Sequence, residues 1–477
     1  MIRIYLDWSI ISYLKQPEFS RLKAFIEENK HRFLFPYSAA HFSDLMKSYS
    51  MNNVYFQTDL KNLEWLSNKH LLHWEDNFVQ PKFCTPKDYF ESYDRDLDIT
   101  PMFDINKLFN DLDKGLEESG LISFKSIFSS LKKILATIPS GLDITEDNKK
   151  IVNTMFPDLT VNSNHWDLMK QSGNMLLSLI TDRLYYKNLR NSISEQGFVL
   201  DKNSGNWDVS EVMANVDAFL KESGFNKDFL AFVDYVFELR NEKPDRLVYF
   251  TACYNILDLL GYKADKLPKP SDTAMNIYTD AQHSFYAAHC DYFVVADKNL
   301  LTKTNVLYHK FNIRTKVISP YEMIDSLESR CSLETDSENI LGVILDLVRN
   351  CENRFDFSEH QIGDGQAFSG TLPRLHFDFF TDVSVLQDVE NKRFTLAFFR
   401  RSHNYSEFYF YTEVESLLQR IFTLFKWESD RDFSKMALDL MNKEGESYAK
   451  LCDFGVVILD LEENKLSPRL TYIIPYT

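Results

Sequence analysis

Apolar positions at the start of the chain change their period several times within fifty residues. Ile2-Arg-Ile-Tyr-Leu6 is a short, mostly apolar run closed by Asp7, and it predicts a buried strand with an acid at its C-terminal edge. Helical spacing follows in Ile10, Ile11 and Leu14 and, beyond Pro17, in Leu22, Phe25 and Ile26. Residues 32–36 predict a second strand, and Ser38 stands where the N-cap of a helix carrying Phe42, Leu45 and Met46 inward would be. Strand, helix, strand, helix is the opening of an open α/β sheet. In such sheets functional groups collect beyond the C-terminal strand ends, where Asp7 stands, with Asp44 on the helix that leaves the second strand.

Over residues 53–269 the texture changes. Apolar residues fall three and four apart in 60–66, 105–116, 126–137, 166–188, 209–220, 228–240 and 247–262, which predicts a mainly helical insertion. Residues 266–271, with two prolines, read as a linker back to the sheet. A helix over 273–289 turns Ala274, Ile277, Ala281, Phe285 and Ala288 toward that sheet. The run 291–296 is a parallel strand, apolar on both faces, and Asp297 ends it. A helix over 300–311 and a strand over 315–318 complete the pattern. The fold class is therefore α/β. A parallel-sheet domain is assembled from residues 1–52 and 270–330 around the insertion, and residues 331–477 form a C-terminal α+β domain. In that last piece helices are expected over 340–348, 413–425 and 433–441, and strands over 372–380, 394–400, 407–412, 456–459 and 470–474.

The length of 477 residues supports two or three domains. A net charge of −17 disfavours a protein that coats nucleic acid by bulk charge. The charge is uneven, however. Residues 1–50 and 280–320 each carry a balance of +2, which leaves −21 for the rest. Lys47, Lys298, Lys303, Lys310, Arg314 and Lys316 are expected as a cationic rim around an acidic centre, an arrangement suited to a phosphodiester. No apolar run is long enough for a membrane span and no leader pattern follows Met1, so a cytoplasmic chain is expected. The six cysteines lie far apart without zinc spacing, so any metal should sit on oxygen.

Four acids carry the candidate chemistry: Asp7, Asp44, Asp280 and Asp297. Three or four convergent carboxylates are what a hard divalent ion needs, and a divalent ion can activate water against a phosphodiester. The stretches Tyr5-Leu-Asp7-Trp-Ser9, Ser38-Ala-Ala-His-Phe-Ser-Asp44, Asp280-Ala-Gln-His283 and Val294-Val-Ala-Asp297 together resemble the acid-bearing elements of PIN-domain metal-dependent nucleases. The resemblance covers roughly a fifth of the chain, with spacings of 37 residues from Asp7 to Asp44 and 17 from Asp280 to Asp297. It departs from the family in having Asp44 for the usual Glu, Val295 for a small hydroxyl residue, and the long insertion.

The resemblance implies a Mg²⁺- or Mn²⁺-dependent endonuclease, acting on RNA rather than DNA, with all four aspartates as catalytic and metal-holding residues. It also implies a toxin or defence role, a protein regulator or inhibitor as partner, and oligomerisation as an option. Ser9, His283 and Lys298 are accessory candidates: Ser9 beside Asp7 or as a helix cap, His283 to orient a carboxylate or touch a phosphate, as His41 could beside Asp44. The competing reading is a catalytically silent scaffold or nucleic-acid-binding protein of the same fold. A haloacid-type phosphatase would need a second Asp two places after Asp7, where Ser9 stands.

Overall fold

The computed structural model describes residues 1–47, 49, 54–92, 107, 114, 131–146, 148–201, 203–239, 241–264, 274–333, 335–357, 365–401, 408–427, 431–442, 446–461 and 467–476. The expected helix over 105–116 and the linker over 266–271 fall almost entirely outside them, whereas 131–137 of the helix expected over 126–137 are described and helical. The chain divides into two compact units. The first comprises 1–90, 283–301 and 311–477; the second comprises 91–282 and 302–310.

The first unit begins with β1 (Ile2–Leu6), every residue of which is buried. Helices Trp8–Tyr13 and Ser20–Asn29 lead to β2 (Phe33–Leu34). Next come β3 (Tyr37–Ser38), helix Ala39–Lys47 and helix Val54–Ser67. The hairpin β4 (His70–Glu75) and β5 (Phe78–Phe83) follows. Later in the chain stand β6 (Tyr292–Val294) and β7 (Lys316–Ile318). Strands pair in the order β2-β1-β6-β7, all parallel. Ile4, Tyr5 and Leu6 lie opposite Tyr292, Phe293 and Val294, so the two acid-bearing stretches meet at one end of the sheet. This is the parallel sheet expected of an α/β chain. A core of Ile2, Ile4, Leu6, Ile10, Ile26, Phe33, Phe42 and Leu45 covers it.

Residues 70–83 depart from the expected helical texture. They form a hairpin whose Asp76 and Asn77 both take positive φ, at 52° and 66°, as a two-residue type I′ loop requires. β4 also pairs with β3, making a separate three-stranded sheet.

The C-terminal stretch holds helix Ile340–Arg349. It continues with β8 (Glu352–Asp356), β9 (Ala367–His376), β10 (Phe380–Asp388) and β11 (Arg393–Phe399). Helices Tyr411–Leu424 and Phe433–Met441 follow, then β12 (Tyr448–Cys452), β13 (Gly455–Asp460) and β14 (Arg469–Pro475). One antiparallel sheet runs β12-β13-β14-β11-β10-β9-β8, and the helices share a core with it through Ile344, Leu372, Phe380, Phe398, Leu417 and Ile421. Two strand expectations are corrected. Residues 372–380 straddle a turn rather than form one strand, because Phe377 and Asp378 take φ of 57° and 52°. Residues 408–410 are not strand, and Tyr411 already opens a helix.

Buried ion pairs cross the expected boundary at residue 331. Arg3 meets Glu413 at 2.9 Å, with side-chain exposures of 2% and 0%. Both oxygens of Asp378 accept from Arg32, at 2.7 and 2.9 Å, and Arg420 adds a third bond at 2.8 Å.

The second unit is helical in its described elements, which include Lys149–Met155, His165–Thr181, Arg183–Glu195, Val209–Glu222, Phe229–Leu239 and Arg246–Leu259. Its buried polar centre is Asp258, which accepts from Lys303 at 2.9 Å, Tyr186 at 2.9 Å and Arg190 at 3.3 Å. Lys303, fully buried here, therefore does not stand on the expected cationic rim. No helix among the described residues is long and apolar enough to cross a membrane, and the six cysteines are free thiols.

Candidate functional site

Asp7 caps the first helix of the chain. Its Oδ2 accepts from the Ser9 N–H at 3.3 Å and from the Ser9 hydroxyl, so Ser9 holds the Asp7 carboxylate through both donors. The Oδ1 atom has no hydrogen bond among the described residues. Asp7 is only 6% exposed. Burial raises its carboxyl above the ordinary range, His283 opposes that shift, and the charge of Asp44 adds to it.

Asp44 arrives from the helix after β3. Its Oδ2 accepts from His283 Nε2 at 2.9 Å, and Oδ1 accepts from Lys47 at 2.6 Å. Burial pushes this carboxyl up, but the His283 hydrogen bond and charge and the Lys47 ammonium outweigh it, so the group lies below its usual value. The two carboxylates thus sit within electrostatic range of each other in opposite states of compensation. Asp44 is matched. Asp7 is not.

Behind them runs a buried hydrogen-bond chain. Ser38 caps its helix by accepting from the Ala40 N–H at 3.3 Å, while the Ser38 N–H donates back to His41 Nδ1 at 3.1 Å. The arrangement is reciprocal like a capping box, with the Ser38 hydroxyl on the second helical N–H instead of the third and histidine in place of the usual Glu. It fixes the tautomer: Nδ1 accepts, and Nε2–H donates to the Leu6 carbonyl at 2.9 Å. Burial and the neighbouring His283 push His41 down to about 3. The Tyr5 hydroxyl contacts Ser38 Oγ at 2.6 Å and His283 Nδ1 at 2.9 Å. With His283 neutral the protons run Ser38 O–H to Tyr5, Tyr5 O–H to His283 Nδ1, and His283 Nε2–H to Asp44; with His283 charged both ring N–H groups donate, to Tyr5 and Asp44, and the Tyr5 O–H turns to Ser38. Burial holds the Tyr5 phenol well above its usual value, which keeps its proton on.

The remaining expected residues are placed differently. Asp297 is exposed, three residues beyond the end of β6, and its Oδ1 caps the helix Lys298–Phe311 through the N–H groups of Asn299 at 2.6 Å and Leu300 at 2.9 Å. Lys298 is the first residue of that helix and is exposed. Asp280 is partly buried and falls in the second compact unit, although His283, three residues later on the same helix, belongs to the first. Lys316 opens β7 and Arg314 precedes it, so both stand at the N-terminal edge of the parallel sheet, away from Asp7. Among the described residues no three His, Cys, Asp or Glu side chains group as metal ligands. As donors to a hard cation, Asp7 and Asp44 fit by chemistry. Asp7 offers an uncommitted oxygen and an uncompensated charge, whereas Asp44 already engages both oxygens.

Tyr5 and Ser38 escaped the sequence reading of the site, because a strand tyrosine and a cap serine look structural one at a time. The available signal was the pairing of Ser38 with His41 three residues later. Fold and site together define a mixed α/β protein with a buried tyrosine–histidine–carboxylate chain at the C-terminal end of its parallel sheet. The chain matches no protein-family model, no curated protein and no solved structure.

Proposed function

We propose that the protein is a divalent-metal-dependent endonuclease, acting on RNA in preference to DNA, with Asp7 as its central carboxylate. The observation that carries this reading is the buried Asp7 carboxylate, pushed up by burial and further by the charge of Asp44, a penalty that a bound cation would relieve. When bound, Mg²⁺ or Mn²⁺ supplies an activated water and offsets charge on the reacting phosphate. Asp7 and Asp44 would hold it. Ser9 fixes the Asp7 rotamer, and the His283 imidazole orients Asp44 as outer-shell partners do. Asp297, three residues beyond the end of β6, is the further acid of the proposed set within this unit, with Lys298 as an exposed cation beside it.

A second reading is supported by the engagement of both Asp44 oxygens, which suits a catalytically silent nucleic-acid-binding scaffold. Cleavage of labelled RNA and single-stranded DNA with Mn²⁺, Mg²⁺ or EDTA separates the two. Metal-dependent cutting that Asp7→Asn abolishes supports the nuclease. RNA binding without cutting under every metal condition supports the scaffold.

A further inference from the structure

At the N-terminal edge of β6 and β7, opposite the acids, lies a cavity of about 280 Å³ lined by Arg314, Lys316, Arg330 and Arg401 together with Asp291 and Glu352. In a chain of net charge −17, four cations around one hollow call for an account of their counter-charges. Asp291 is already matched: Oδ2 accepts from Arg400 at 2.7 Å and from the Arg3 N–H at 2.8 Å. The fully buried Asp382 serves both Arg314, at 3.4 Å, and Arg401, at 3.2 Å. Among the described residues Arg330 donates to the carbonyls of Leu372 and Pro373, which are neutral. Lys316 forms no ion pair among the described residues. Burial, with Arg330 beside it, holds the Lys316 ammonium below the usual lysine value. Counting Asp382 and Glu352 against the four cations leaves two positive charges.

We infer that this cavity binds the phosphate group of a small phosphate monoester. A monoester carries close to two negative charges at neutral pH, which matches the excess. Guanidinium groups present their N–H donors in a fork that suits phosphate oxygens, and three line this hollow. The volume lies just below that of typical drug-sized sites, so the ligand is small. A nucleic-acid backbone would instead need a cationic stripe and would work against the overall negative charge. The inference is independent of the acids at the other end of the sheet.

The test is calorimetric titration of the full chain with inorganic phosphate, ribose 5-phosphate, ribose and a 5′-phosphorylated trinucleotide. Wild type is set beside Lys316→Gln and Arg401→Gln, both exposed residues, with circular dichroism confirming that each variant is folded. Expected is binding of phosphate and ribose 5-phosphate, none of ribose, and at least a tenfold weakening in each variant. Silence of wild type toward both phosphate compounds overturns the assignment, as does equal affinity in wild type and folded variants. Binding of the trinucleotide alone would overturn the small-molecule ligand and point to a nucleic-acid terminus.

Discussion

Arg3 and Glu413, 410 residues apart, form a fully enclosed ion pair. The Arg3 Nε reaches both carboxylate oxygens at 2.9 Å, and Arg3 NH2 reaches the Phe408 carbonyl at 2.7 Å. Burial pushes the Glu413 carboxyl up, but the opposite charge of Arg3, with Arg400 assisting, outweighs it and holds the group below its usual value. The first strand of the parallel sheet is thereby tied to the helix Tyr411–Leu424.

Removing one partner leaves the other charged and buried, so Arg3→Met or Glu413→Leu alone should cost about 3–5 kcal/mol. The double variant should recover most of that loss. Urea unfolding of the three variants checks it, and additive losses would show that the two residues are not coupled. Because the Glu413 carboxyl is depressed in the folded state, its contribution is present above the unfolded carboxylate value and fades as pH falls through the folded one.

Asp7 has the opposite sign. Its folded carboxyl lies above the ordinary aspartate value, so the folded state holds the extra proton and stability falls as pH rises through that window. Asp7→Asn should leave stability at pH 7 unchanged or raise it by up to about 1 kcal/mol, a gain in the range of easily found stabilising changes. Thermal melts at pH 7 decide; a large loss would mean the carboxylate is structural.

His376 is buried against Tyr472, with Nε2 at 2.8 Å from its hydroxyl, and burial pushes it from 6.5 down to about 3. The unfolded chain therefore binds a proton that the folded one refuses between those values. Stability should fall as pH drops from 7 to 5, with a slope approaching about 1.4 kcal/mol per pH unit for each such histidine, His41 being the second. Unfolding curves measured across this range should flatten by about one proton in His376→Gln. An unchanged slope would show that His376 does not contribute.

Gly455 opens β13 with φ of 143°, and an added Cβ would lie 2.0 Å from the Ile473 carbonyl oxygen. Gly455→Ala must shift β14 or break the turn, at a cost of roughly 3 kcal/mol. A midpoint in urea within error of wild type would contradict this.

The parallel sheet was legible because its central strands β1 and β6 are short apolar runs buried on both faces, and Asp7 could be placed at a strand end for the same reason. The caps were legible too, since Ser38 acts within its own helix turn. The 70–83 hairpin was overlooked because its signal is two residues, Asp76 and Asn77, whose left-handed backbone stands in for the commoner Asn-Gly. The site divides along the same line. That Asp7 and Asp44 are acids near strand ends is local information. That His283 rather than a fourth carboxylate sits on Asp44, that Lys303 is sealed around Asp258, and that Arg314 and Lys316 face a cavity at the far edge of the sheet are facts of long-range packing. Spacing along a chain fixes which side of an element a residue occupies. Which charges end up compensated depends on partners hundreds of residues away, and only the tertiary structure decides that.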